Sequence, residues 1–127
     1  MNSGSRAEAE LTRAISWEMA RLYRDFYGHD RATATTYLND NIVVCVLEDI
    51  LTVDESRLVE FGDSRHVLEG RVAFQTQSQD EFTAVVERLM ERKVVAFLSA
   101  NQATPGVACE LFFLERAATA AQSGGPL

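Results

Sequence analysis

One short run limits the fold of this chain more than any other: residues 42–47 are all apolar. Alternate side chains of a β-strand point to opposite faces of a sheet, so this run would be apolar on both faces. We therefore expect a central strand that is covered on both sides. A threonine-rich segment, residues 32–38, precedes it across the polar turn 39–41. The pair predicts a β-hairpin whose first strand lies at a sheet edge.

Helical patterns come before each of two strand pairs. The first helix is predicted to start just after Ser5, which has capping-box spacing with Glu8, and to stop at Gly28. One apolar stripe at helical spacing runs along it: Leu11, Ile15, Met19, Leu22 and Phe26.

The second half repeats this order. Thr52 and Glu55 again have capping-box spacing and predict a short helix to about Phe61. A long helical segment follows at residues 65–92, and two further strands are predicted at 94–99 and 107–114.

The predicted fold is therefore α+β, with the elements in αββ-αββ order. The four strands form one antiparallel sheet, and the long helix of the second half packs on one face of it. We expect a single domain at residues 6–116 and a flexible C-terminal tail at 117–127, which is rich in small residues, glycine and proline.

Composition excludes several classes of function. A net charge of −7 disfavours nucleic-acid binding, which needs a basic surface. No apolar run reaches the roughly 18 residues of a transmembrane helix, and the polar N-terminus does not resemble a signal peptide. Cys45 and Cys109 lie inside apolar runs, which is typical of free thiols in a reducing compartment. We expect a cytoplasmic protein.

No motif indicates catalysis, a metal or a cofactor. The sequence contains no CxxC, HExxH, P-loop or GxGxxG pattern. His29 and His66 are far apart along the chain, and no spacing links a histidine to either cysteine. We expect no catalytic residue, no metal and no cofactor, and an enzyme is the least favoured hypothesis.

The first helix carries the clearest candidate site. At about 100° per residue, Trp17 projects nearly opposite the apolar stripe, with Arg13 and Arg24 beside it and Arg21 within reach. Tryptophan and arginine are enriched at the energetic centres of protein interfaces. The favoured interpretation is protein–protein contact. The alternatives are arginines that solvate the helix while stacking on Trp17, and an anionic-ligand site.

The long helix carries a second candidate. Its middle is polar, and Arg71, Gln75 and Gln79 fall on the same face as Leu68 and Phe82. Either the helix breaks there, or these groups line an interface or a pocket. Buried glutamines need hydrogen-bond partners, which a subunit interface can supply. A homodimer would also cover the excess apolar surface.

Two stretches of the chain resemble the MpsC-like family of bacterial proteins. One is TYLNDNIVVCVLE at residues 36–48, followed by Leu51, Thr52 and Glu55; the other is ERKVVAF at 91–97 with ELFFL at 110–114. The family takes its name from a membrane-potential-generating, cation-translocating system. The resemblance implies a small soluble component associated with membrane transport, and it brings no catalytic residues.

Two functional hypotheses follow. The first is a non-enzymatic accessory or regulatory protein, acting as a homodimer and contacting a membrane transport protein without inserting into the membrane. The alternative is a dimeric sensor that binds a small anionic ligand near Arg71 and Gln75.

Overall fold

The computed structural model describes residues 3–28 and 31–116. It contains three helices and four strands in this part of the chain: α1 (Ser3–Tyr27), β1 (Thr33–Asn39), β2 (Ile42–Glu48), α2 (Val53–Glu60), α3 (Ser64–Met90), β3 (Val94–Gln102) and β4 (Val107–Leu114). The α+β class and the predicted order of elements are confirmed. The tail predicted at 117–127 lies outside the described residues.

The four strands form one antiparallel sheet in the order β1-β2-β4-β3. The β1–β2 hairpin closes on the pair Asn39 and Ile42, and Asp40 in the turn takes a φ of 58°. As predicted, β1 is an edge strand and β2 is central.

All three helices lie on one side of the sheet. α1 packs on β1 and β2, α3 packs on β3 and on α1, and α2 packs on α3. The core lies between helices and sheet and includes Ile15, Met19, Val43, Cys45, Leu47, Phe82, Val86, Phe112 and Leu114.

The expected cover on both faces of β2 is not found among the residues that the structure describes. Val43, Cys45 and Leu47 are buried against the helices, whereas Val44 and Val46 on the other face are only half-buried. Among residues 3–28 and 31–116, no helix packs on that second face, since all three lie on the first. One side of the sheet is therefore open.

The buried face of α1 differs from the predicted stripe. Tyr23 is 1% exposed while Phe26 is 53% exposed. The cause is the packing of the Tyr23 ring, which stacks on Phe82 with centroids 5.9 Å apart and meets Phe74 edge-on at 5.1 Å. The helix also begins at Ser3, so Ser5 lies within it, because strong helix formers downstream allow the helix to extend backwards.

The long helix is unbroken. It runs for 27 residues, which corresponds to a length of about 40 Å. Gly62 ends the preceding helix with a φ of 87°, and the Asp63 N–H donates to the Leu58 carbonyl at 2.8 Å. This turn lets α3 start at Ser64 and pack on α2 and α1 as well as on the sheet.

Candidate functional site

A groove of about 510 Å³ lies between α1 and β1, and we call it the Trp17 groove. Arg13, Trp17 and Arg24 line its helix side, and Trp17 is 60% exposed. The spacing of these residues follows directly from the helix, in which positions three to four apart share a surface. The structure thus brings three of the four residues of the first candidate site into one groove.

The other wall of the groove is the outer edge of β1. The consecutive residues Thr33, Ala34, Thr35 and Thr36 all line it. Side chains alternate between the faces of a strand, so four in a row can border one groove only if the groove runs along the edge. Among the four strands described, β1 has a neighbour on one side only, so every second residue points its N–H and C=O toward the groove.

Arg21 does not line the groove. Its guanidinium lies 5.7 Å from the centroid of the Trp17 ring, and it pairs with Glu18 at 2.8 Å and with Asp25 at 3.3 Å. Two carboxylates therefore already neutralise this arginine. Its stacking on Trp17 is the cation–π contact expected if the arginines of this helix solvate it and pack on the ring.

Arg13 and Arg24 are different from Arg21. Arg24 donates from Nε to the carbonyl of Ala20 at 3.2 Å, and in the part of the chain described here neither arginine forms an ion pair with a carboxylate. The groove is therefore locally basic on a protein whose net charge is −7.

The three residues of the second candidate site, Arg71, Gln75 and Gln79, lie in three different places: two separate buried clusters and the surface. Arg71 is completely buried and forms a bidentate contact with Glu55, through Nε at 3.1 Å and Nη2 at 2.5 Å. Nη2 also donates to the carbonyl of Ile50, and the guanidinium lies 3.6 Å from the centroid of the Tyr27 ring. Glu55 in turn completes the capping box of α2 with Thr52. Arg71 thus ties α3 to the start of α2.

Gln75 belongs to a separate buried polar network around Glu110. Tyr23 donates to Glu110 Oε2 at 2.5 Å, and Gln75 Nε2 donates to the same oxygen at 2.8 Å. Gln75 and Asn101 also exchange side-chain hydrogen bonds at 3.1 and 2.6 Å. Glu110 has no exposed surface, and its burial raises the pKa of its carboxyl, which the donors Tyr23 and Gln75 partly oppose.

Gln79, the third residue, is exposed. It borders a smaller groove of about 220 Å³ between α3 and β3, where Gln75 and Ser99 also contribute. Arg71 and Gln75, two of the polar residues of α3, therefore find their hydrogen-bond partners within one chain and need no subunit interface to supply them.

Sequence reasoning missed Tyr23, Glu55, Asn101 and Glu110 as members of these clusters. Glu110 carried a usable signal, because the alternation of β4 places it on the same face as Phe112 and Leu114. An acid at an inward position of an apolar strand needs partners. The other three gave no such signal, because the capping box already accounts for Glu55 and because tyrosine and asparagine are common at partly exposed positions.

Comparison with known proteins gives one match. A family model described as the Na⁺-translocating membrane potential-generating system (MpsC) matches residues 7–116. No curated protein and no solved structure matches the chain.

Two further observations concern metal ligands and membrane-spanning helices. In residues 3–28 and 31–116, no three His, Cys, Asp or Glu residues come together as metal ligands. None of the helices described is both long and apolar enough to span a bilayer.

The family model covers nearly the whole of the described chain. This protein therefore belongs to the MpsC family.

Proposed function

We propose that this chain is a non-enzymatic accessory or regulatory protein of a bacterial membrane cation-translocation system, and that it binds a protein of that system through the Trp17 groove. The family assignment supports the link to such a system. The observation that carries the binding role is the exposed Trp17, which lies between two arginines beside the edge of β1. Within the described residues, neither arginine pairs with a carboxylate and no strand pairs with this edge.

The chemistry of the groove favours an extended, acidic partner segment. The edge of β1 offers main-chain hydrogen bonds to a strand added beside it. Arg13 and Arg24 can each pair with a carboxylate, and Trp17 offers a large apolar surface to a side chain between them. The chain carries a net charge of −7, so its acidic surfaces repel an acidic segment and favour its binding at this basic groove.

The proposal places the protein on the cytoplasmic side of the membrane. Both cysteines are free, which fits a reducing compartment. The partner segment would then be a cytoplasmic loop or tail of the transport protein.

Affinity capture from solubilised bacterial membranes tests this function. We expect the wild-type chain to recover a cation-transport protein, and the triple change Arg13→Glu, Trp17→Ala and Arg24→Glu to reduce recovery at least tenfold. The matched control changes Arg57→Glu and Phe61→Ala, which are exposed on and beside α2. Capture of no transport protein, or equal capture by the groove variant, would contradict the proposal.

The second candidate function is a sensor for a small anionic ligand near Arg71 and Gln75. The groove between α3 and β3 reaches Gln75, which favours access of a small molecule there. An anion at Arg71 would have to compete with Glu55. Thermal-shift screening with bicarbonate, other anions and nucleotides tests this function, and a flat profile across the panel would remove it.

A further inference from the structure

The open face of the sheet is built from three rows of side chains that run across all four strands. The central row joins Tyr37, Val44, Leu111 and Leu98, and the next row includes Val46 and Cys109. Tyr37 and Leu98 are each 58% exposed. None of the twelve residues in these three rows of four is charged, and the first charge, Glu48, stands in the row beyond.

The chemistry of this face is that of a subunit core. Interfaces between identical subunits are more apolar than other surfaces and are depleted in charge at their centre. The chain has a net charge of −7, yet the open sheet face has none. Two copies can therefore meet on this face with their acidic surfaces turned away from each other.

We propose that the open sheet face binds the same face of a second copy of this chain. The contact would be isologous, so the same patch serves both subunits. This inference stands on the sheet alone and is independent of the Trp17 groove, which lies between α1 and the outer edge of β1.

The area of the face suits a reversible dimer. Four strands and three rows of side chains span roughly 20 by 20 Å, or about 800 Å² of flat footprint for two copies. Protruding side chains expose more surface than a flat footprint. These side chains bring the buried area toward the ~1,000–1,200 Å² at which specific interfaces begin, which suits a weak contact. We expect dissociation within the range of concentrations used in solution experiments.

A two-fold axis between β2 and β4, parallel to the strands, gives an aligned packing of two sheets. In that arrangement β1 of one copy faces β3 of the other, and β2 faces β4. Tyr37 would then lie over the partner's Leu98, and Val46 would lie over the partner's Cys109. The two large exposed side chains of the central row thus cover each other.

Light scattering after size exclusion, over a range from about 1 to 300 μM, tests the proposal. We expect the mass to rise toward twice the 14.1 kDa of one chain. Leu98→Asp should hold it at the single-chain mass throughout, because each dimer would bury two unpaired carboxylates. The control is Val53→Asp on α2. Val53 is 54% exposed, so the fold should tolerate an aspartate there as well as it does at Leu98.

Alkylation of Cys109 gives a second readout that does not depend on mass. Cys109 is half-buried on the open sheet face, whereas Cys45 is buried on the other face and burial raises its pKa to about 12. Reaction of Cys109 with iodoacetamide should slow at least tenfold from the lowest to the highest concentration in the wild type. It should stay constant in Leu98→Asp, with circular dichroism showing that the variant is folded.

Three results would overturn the proposal. They are a wild-type mass of one chain at every concentration, a dimer that Leu98→Asp leaves intact, and a Cys109 rate that does not change with concentration. A single-chain mass would mean that another partner or no partner covers the face. Trp17→Ala should leave the dimer intact, so failure of the dimer and failure of the groove are separate outcomes.

Discussion

Glu110 shows how a single residue links packing to pH. It is an acid without exposed surface in the middle of a sheet, and desolvation raises its pKa above the ordinary value of 4.5. When folding raises the pKa of a group, the stabilising contribution of that group to the free energy of unfolding is fully present below its pKa in the unfolded chain. That contribution is lost as the pH rises through the folded-state pKa.

The first prediction concerns Glu110→Gln. The amide keeps the shape of the side chain and can accept hydrogen bonds from Tyr23 and Gln75, but it cannot ionise. We expect the variant to gain stability over the wild type as the pH rises above about 4.5, and to gain nothing below it. Thermal melting between pH 4 and 9 measures this. Parallel curves for the two proteins would contradict it, and exposed Glu115→Gln is the control.

The second prediction concerns the buried pair of Arg71 and Glu55. Arg71→Met should destabilise the fold by about 3 kcal/mol, because it removes the buried cation that pairs with the Glu55 carboxylate and that donates to the Ile50 carbonyl. Adding Glu55→Gln should recover part of the loss, since the unpaired charge disappears. Urea denaturation of both singles and the double variant measures the coupling. Strictly additive effects would show that the pair is not coupled.

Arg88 provides the comparison for this pair. Its ion pair with Glu18 is 3.2 Å long, but the Arg88 side chain is 58% exposed. Arg88→Ala should therefore cost less than about 1 kcal/mol in the same measurement. A loss as large as that of Arg71→Met would show that burial does not explain the difference in stability expected for the two ion pairs.

At the scale of elements, local signals predicted much of the fold. Thr52 and Glu55 mark the start of α2 because both halves of the capping box are formed within four residues. Gly28 marks the end of α1 because it takes a φ of 72°, which suits glycine. The hairpin and its edge strand follow from alternation and a short turn. These features depend on neighbours in sequence, so sequence patterns capture them.

The third prediction tests such a local signal. Thr52→Ala removes the side-chain oxygen that accepts from the Glu55 N–H at 3.1 Å. We expect a loss of about 1 kcal/mol in the free energy of unfolding, and Thr52→Ser should restore most of it. Chemical denaturation measures both variants. Equal loss for alanine and serine would show that the hydroxyl does not matter.

Features that depend on distant parts of the chain were not predictable in the same way. The face that α1 buries is rotated from the apolar stripe because the Tyr23 ring packs on α3 and its hydroxyl reaches Glu110 on β4. The helical pattern marks Arg71 and Gln75 as polar residues on an apolar face. Their partners Glu55 and Glu110 lie in other elements, at the start of α2 and in the middle of β4, so the pattern of α3 does not reveal them. Only the assembled fold brings these groups together.

At the scale of the whole molecule, the two surfaces proposed for binding differ in chemistry. The Trp17 groove is basic and borders a strand edge, whereas the open sheet face is apolar and uncharged. The first suits an acidic segment of another protein, and the second suits a like surface. A dimer formed through the sheets would present two grooves, and a partner with two segments would bind it more tightly through both.

The proposed function requires that the Trp17 groove contacts a protein of the cation-translocation system. Photocross-linking in living bacteria tests this contact most directly, with a benzophenone amino acid replacing Thr12 at the groove or Phe61 beside α2. We expect a cross-link from position 12 to a cation-transport protein, and no such cross-link from position 61. Loss of that product on adding Arg13→Glu and Arg24→Glu would support the role of the two arginines. The same products from both positions, or no transport protein from position 12, would show that the groove does not make this contact.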